Sequence, residues 1–267
     1  MTDLRRHFDS VYRRNYGATI IGRLTRQSLG DPATAAFEAT GFLGPGDHRR
    51  FLEILDSSSG RVRRPLVLLD LGCGNARLGE WLAYGLRFDY CGIDFSTTAI
   101  RIARSLPRRN ATRRRLLCTD FTDLRSIGDE AAGTAFSLDS LYLAADPAAV
   151  LRALPRVMVR GAPLLLTIYS ASGRANGQPA YARPREWRAA LSDVGFAPCS
   201  IEDCTEVWRE TMRIKHRLRW EHRDEILQEM GEDLGPAELS VTRAILGIGC
   251  RSTLVSLKRY EILALRR

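Results

Sequence analysis

At 267 residues with 45% apolar side chains, the chain can bury a sizeable core, which excludes any need for disulfides or a structural metal to hold it folded. Forty basic residues against thirty-one acidic ones leave a net charge of +9, yet only Lys215 and Lys258 are lysines; a surplus carried by arginine alone reads as compositional bias rather than a polyanion-binding stripe. No stretch approaches the roughly 18 apolar residues of a membrane helix, and residues 1–7 lack an apolar signal region, so a soluble, cytoplasmic protein with no membrane partner is expected.

Residues 1–60 read as a helical segment with loops at 41–46 and 57–60, in which Tyr12 and Tyr16, one helical turn apart, are candidates to close over a bound substrate. From Pro65 the pattern alternates. Apolar strand runs at 66–71, 90–93 and 116–118 are separated by amphipathic helices at 78–86 and 99–106. A fourth strand at 135–138 precedes a helix that opens at Asp146-Pro147 and runs to 159. A fifth strand, 163–169, follows the Gly161 turn and ends in Tyr169, a further candidate substrate residue. A helix over 184–194, stopped by Gly195, leads to a sixth strand at 199–203, and residues 256–265 form a last strand. Strand and helix in alternation predict an α/β fold of the Rossmann-like kind with seven strands, its core at 61–204 and 251–267.

Residues 205–250 stand outside the alternation as a charged, amphipathic helical insertion. With residues 1–60 they are the candidate lids, and Trp208 and Trp220 are their candidate substrate-facing aromatics, although such residues more often pack one helix on another. The Ser/Gly/Ala-rich loop at 170–179 borders the same end of the sheet. The arginine runs at 61–64, 108–109 and 113–115 flank strand patterns and are read as water-facing. Cysteines 73, 91, 118, 199, 204 and 250 have neither zinc spacing nor a disulfide framework, and no metal is expected.

The chemistry is concentrated where strands end. Residues 67–71 run straight into Gly72-Cys73-Gly74, where glycine lets the backbone pass close to a ligand, with Asp70 just before the turn. The second strand ends in Asp94, followed by Phe95 and by Ser96, a helix N-cap. A carboxylate at that tip accepts both hydroxyls of a ribose. The third strand ends in Asp120-Phe121, where the aspartate is equally well a turn former. The fourth leads through Leu138 and Asp139 to Tyr142. Three acids thus sit at the C-terminal ends of successive strands, where ligands of open α/β sheets bind.

These motifs, over residues 65–170, resemble the class I S-adenosylmethionine-dependent methyltransferases. The resemblance implies a mostly parallel sheet with an antiparallel last strand and S-adenosylmethionine as cofactor, leaving S-adenosylhomocysteine as product. It implies that Asp70, Gly72, Cys73 and Gly74 form the cofactor turn and that Asp94, with Phe95, holds the ribose. It further implies that Asp120 accepts from the adenine amino group beside Phe121, and that Leu138, Asp139 and Tyr142 lie near the transferred methyl. The chain departs from the family pattern at Ala76, where a third glycine is common, at Ser137, often an aspartate, and at 160–163, often Pro-Gly-Gly.

The expected function is methyl transfer to a C, N or O atom of a small-molecule acceptor, a metabolic or bacterial secondary-metabolite intermediate, anionic if the arginines face the pocket. The chain is read as monomer or homodimer. Asp139, Tyr142 and His216 are the candidate bases, although His216 and His222 also read as solvated members of a charged helix. Two rivals remain open: an RNA or protein methyltransferase docking its substrate on an arginine-rich surface, and a methyltransferase-fold subunit that binds without turnover. A nicotinamide oxidoreductase fits less well, because Arg77 stands where its third glycine belongs.

Overall fold

The computed structural model describes residues 2–15, 19–30, 37, 43–58, 66–107, 113–144, 146–170, 183–249 and 257–267. Tyr16, the loop expected at 171–179 and the arginines at 61–64 and 108–109 lie outside them.

Helices α1 (Thr2–Asn15), α2 (Ile20–Ser28) and α3 (Asp47–Ser58) precede β1 (Val67–Leu71). The alternation follows as α4 (Arg77–Leu86), β2 (Asp89–Asp94), α5 (Thr97–Ser105), β3 (Arg114–Cys118) and β4 (Ala132–Ser137), then α6 (Pro147–Val157), β5 (Pro163–Ser170), α7 (Pro184–Asp193) and β6 (Phe196–Asp203). Helices α8 (Thr205–Glu221) and α9 (Arg223–Leu246) are inserted before β7 (Lys258–Arg266), and the backbone of α9 breaks at Gly231. The N-caps expected from sequence form: Ser96 Oγ accepts from the Ala99 amide at 3.1 Å, and Asp146 Oδ1 accepts from the Ala149 amide at 3.0 Å.

The seven strands lie in the order β3-β2-β1-β4-β5-β7-β6, parallel except for β7, which runs antiparallel to both β5 and β6. Alternate residues of β1 point to opposite faces. Leu69 and Leu71 pack with Leu151, Leu154 and Trp187 beneath α6 and α7; Leu68 packs with Phe51, Leu55 and Leu82 beneath α3 and α4. Both faces are therefore covered, as a parallel sheet requires. Because β1 is flanked by β2 on one side and β4 on the other, the chain leaves it in both directions and opens a crevice above its C-terminal end.

The two segments outside the alternation pack on each other. Ile20, Ile21 and Leu24 of α2 share a cluster with Leu218 and Ile226, and the Glu229 carboxylate accepts from the Ile20 amide at 2.9 Å. Helix α1 is fixed to the core by Asp9, whose carboxylate accepts from Ser96 Oγ at 2.5 Å and the Thr98 amide at 2.9 Å at the start of α5. Those bonds outweigh burial and hold the Asp9 carboxyl below its ordinary value. No helix among the described residues is long and apolar enough to cross a membrane.

Gly79, within α4, faces the Asp70 carboxylate and the Tyr90 ring so closely that a Cβ would overlap both. Alanine normally gains about 1 kcal/mol over glycine inside a helix. Here Gly79→Ala is expected instead to lower stability by a net of about 2 kcal/mol, because overpacking exceeds the propensity gain. Urea denaturation of the variant measures this, and unchanged stability would show that α4 is free to shift.

Candidate active site

Above the C-terminal ends of β1, β2 and β4 lies a cavity of about 560 Å³. Its floor is the turn after β1. Gly72 (φ 86°) and Gly74 (φ 54°) adopt the left-handed backbone that glycine alone takes without strain. A Cβ on Gly72 would meet the Ser140 hydroxyl, and one on Gly74 the hydroxyl of Tyr12. Ala76 takes φ 64° at the entrance to α4, so the position where a third glycine is common keeps the glycine conformation despite its methyl. Ser137, the other departure, is buried and donates to the Leu71 carbonyl at 2.8 Å, and Ser140 donates to the same carbonyl at 2.7 Å. The end of β1 is thus tied by two hydroxyls to the end of β4 and the turn that follows it.

Asp94 stands at the tip of β2 with both oxygens oriented: Oδ2 accepts from the Gly74 amide at 2.9 Å and Oδ1 from the Ser96 amide at 2.8 Å. A carboxylate offers about four acceptor directions, so two remain for a ligand. Burial pushes its pKa up to about 6 against the pull of those amides. Asp70 is buried as well, accepts from the Tyr90 hydroxyl at 2.7 Å, and is pushed up to about 8, by burial first and the Asp94 charge last. Phe95 and Phe121 meet edge to face, 6.3 Å between centroids, on the wall beyond Asp94. The residues assigned from sequence to Asp70, Gly72, Cys73, Gly74, Asp94, Phe95, Phe121 and Leu138 all line this one cavity. Asp120 does not: its Oδ1 accepts from the Thr122 amide and hydroxyl at 2.9 and 2.8 Å, which makes it the turn former.

At the other end, Asp139 and Tyr142 line the cavity, but Asp139 is committed elsewhere. Its two oxygens face Arg259 Nε and Nη2, each at 3.2 Å, and Thr167 Oγ1 donates to Oδ1 at 2.8 Å. The paired side chains are only 3% and 6% exposed. The Asp139 charge holds the Arg259 guanidinium well above its ordinary value despite burial. Burial pushes the Tyr142 hydroxyl far up as well, which favours its neutral, protonated form.

The remaining sequence candidates are not at the cavity wall. His216 Nδ1 lies 3.2 Å from Thr242 Oγ1, bridging α8 to α9, and burial together with Arg243 and Arg219 depresses its pKa. Trp220 is on the outer surface beside Arg223 and Arg243, whose guanidinium carbons lie 5.8 and 5.6 Å from its ring. Tyr169 and Trp208 form a second layer: Tyr169 meets Tyr142 edge to face at 5.5 Å and Trp208 at 5.1 Å. Tyr169 and Trp208 are carried into packing between β5 and α8 rather than into the crevice, whereas Trp220 lies on the solvent-facing side of α8. Tyr12 does line the cavity, against Gly74.

Sequence reading missed His7, Phe8 and Val11 of α1, Phe37, and Arg219, Ala237, Glu238 and Val241 of α8 and α9, all of which line the cavity. The spacing of 237, 238 and 241 on one helical face was the available signal.

Residues 69–166 match the family model described as a methyltransferase domain. No curated protein matches the chain. Among solved structures the chain is similar to the [4+2]-cyclase SpnF, with 19% identity, a TM-score of 0.64, and 81% of this chain and 80% of that one covered. It is also similar to phosphoethanolamine N-methyltransferase 2 of Haemonchus contortus in complex with phosphomonomethylethanolamine and S-adenosylhomocysteine, with 16% identity and a TM-score of 0.70. That match covers 90% of this chain but only 57% of the Haemonchus protein. A third is geranyl diphosphate C-methyltransferase of Streptomyces coelicolor A3(2), in complex with Mg2+, geranyl diphosphate and S-adenosylhomocysteine, with 16% identity, a TM-score of 0.56, and 90% and 88% covered. At these identities the likeness carries the fold. The family match lies on β1 to β5, the strands that form the floor of the cavity, so the methyltransferase-domain likeness and the cavity fall on the same part of the chain.

Proposed function

We propose that this chain transfers the methyl group of S-adenosylmethionine to a small-molecule acceptor. The observation that carries the reading is Asp94: a buried carboxylate, aimed into the cavity by two backbone amides, with acceptor directions left for two adjacent hydroxyls. Gly72, Cys73 and Gly74 would carry the methionine end past β1, Phe95 and Phe121 would enclose the base, and Leu138 would border the sulfur. When bound, the cofactor supplies an electrophilic methyl group on a sulfonium.

The protein's own contribution is positioning and exclusion of water. An in-line displacement needs the acceptor atom held at about 3–3.5 Å from the methyl carbon, which is a task for shape rather than for a nucleophile. Tyr12 over Gly74 and the α9 face at Ala237 and Val241 would close the cavity, so that α1 and α8–α9 serve as the lids of the core. Walls on several sides favour a small acceptor over a macromolecule. The arginines of β3 point the same way, since Arg114 is engaged by Glu80 at 2.9 Å and Arg115 by the Ser126 carbonyl at 2.7 Å.

Calorimetric titration with S-adenosylmethionine and S-adenosylhomocysteine, followed by a labelled-methyl screen of acceptors, tests the proposal. Micromolar binding with turnover of a small acceptor is expected. Binding with turnover of RNA or protein alone would transfer the reading to a macromolecular substrate, and absence of binding to either compound would sink it.

A further inference from the structure

We infer that the acceptor is an amphipathic acid, an apolar body carrying one anionic oxygen group, and that Arg219 is the residue that selects it. This deepens the methyltransferase reading and rests on it. Arg219 belongs to α8, outside the matched domain, and lines the cavity. Of its five N–H donors, one is committed to a hydrogen bond, from Nη1 to the Glu238 carbonyl at 3.0 Å. The Glu238 carboxylate lies 3.6 Å from Nη2, an ion pair too long for a hydrogen bond. The side chain is 13% exposed, so the guanidinium is largely stripped of bulk water where the residue lines the cavity. Burial lowers its pKa, a penalty that Glu238 only partly offsets.

A second cation lies near it. Lys215, one turn earlier on α8, is buried, and burial together with the Arg219 charge pushes its ammonium down to about 7. Guanidinium is the group suited to bind a planar oxyanion through two parallel hydrogen bonds, and Arg219 brings one to the cavity. The cavity that Arg219 lines also has apolar wall residues: Phe37, Leu43, Tyr142, Leu143, Ala237 and Val241. A charged head with an apolar body matches both features.

The test uses three probes of equal length, octanoate, octan-1-ol and octylamine, titrated into the full chain saturated with S-adenosylhomocysteine. Octanoate is expected to bind at least about tenfold more tightly than octan-1-ol, the worth of one charge-assisted contact. In Arg219→Gln that preference is expected to collapse to about twofold or less with S-adenosylhomocysteine affinity unchanged, while Arg219→Lys retains part of it. Should Arg219→Gln fail to bind S-adenosylhomocysteine, and so fail to fold, Arg219→Lys and the wild-type comparison still decide. Equal or tighter binding of octan-1-ol or octylamine, no binding of any probe, or a preference that survives Arg219→Gln overturns the inference while leaving methyl transfer intact. A wild type that does not bind S-adenosylhomocysteine overturns both.

Discussion

Asp94→Ala is expected to weaken S-adenosylhomocysteine binding by at least about a hundredfold. Two hydrogen bonds from ribose hydroxyls to a buried carboxylate contribute about 1.5–3 kcal/mol each, and each 1.4 kcal/mol is tenfold in affinity. The substitution also strips the Gly74 and Ser96 amides of their acceptor, so a stability loss of about 2 kcal/mol accompanies it. Asp94→Asn keeps one carbonyl oxygen in place and separates the two effects: stability largely returns, while affinity stays at least about tenfold below wild type. Calorimetry and thermal melting on the same samples read both quantities. Undiminished affinity in Asp94→Ala would remove Asp94 from the cofactor site.

The same carboxyl sets a pH dependence with opposite signs for binding and stability. Its folded-state pKa of about 6 lies above the ordinary 3.8, so the native state holds the extra proton between those values. Stability from this group is therefore greatest at low pH and declines as pH rises from about 4 to about 6. Asp70, at about 8, extends the decline to about pH 8. Cofactor binding needs the ionised Asp94 as acceptor, so affinity is expected to fall as pH drops below about 6. The unliganded protein should accordingly melt at higher temperature at pH 5.5 than at pH 8 and bind its cofactor less well, and Asp70→Asn should flatten the upper part of the stability profile. A melting temperature that rises across that interval would contradict the assignment.

Arg259→Met is expected to destabilise the fold by about 3–5 kcal/mol, because it removes the guanidinium that pairs with the buried Asp139 charge. For a domain of this size that is a fall of about 10 °C in Tm. Asp139→Asn leaves Arg259 equally unmatched and should cost a similar amount. The double variant, Asp139→Asn with Arg259→Met, removes both charges and should recover to within about 2 kcal/mol of wild type. The pattern separates two roles for Asp139. A general base lost to asparagine lowers kcat and leaves Tm in place, whereas a structural ion pair lowers Tm and is rescued by the second substitution. A lowered kcat with an unchanged Tm in Asp139→Asn would favour the first role.

The strands and helices of the domain and the strand-end and turn residues that line its cavity were legible in the sequence because their determinants are local. Periods of two and 3.6, the glycine turn at 72–74 and the caps at Ser96 and Asp146 each act within a few residues of themselves. The C-terminal end of a strand is likewise a local address, which is why Asp70 and Asp94 could be placed at the crevice. Asp120 carried the same address and was turned into its own loop by Thr122, a choice between two local acceptor roles that strand periodicity does not resolve.

What only the tertiary structure decided is the pairing of groups far apart in the chain. Arg259 of β7 reaches Asp139 because β7 inserts antiparallel beside β5, and the same topology leaves no free carboxylate where a base was expected. Tyr12 meets Gly74 and Asp9 caps α5 because α1 folds back onto the domain, while α2 and α8–α9, from opposite ends of the chain, close on a shared cluster around Ile20, Leu218 and Ile226. The same helix rotation carries Arg219 into the cavity and Trp220 out of it. An amphipathic pattern specifies that a face will be buried, but which partner buries it follows from the summed packing and charge neutralisation of the whole fold, and those contacts have no signature within a short window of sequence.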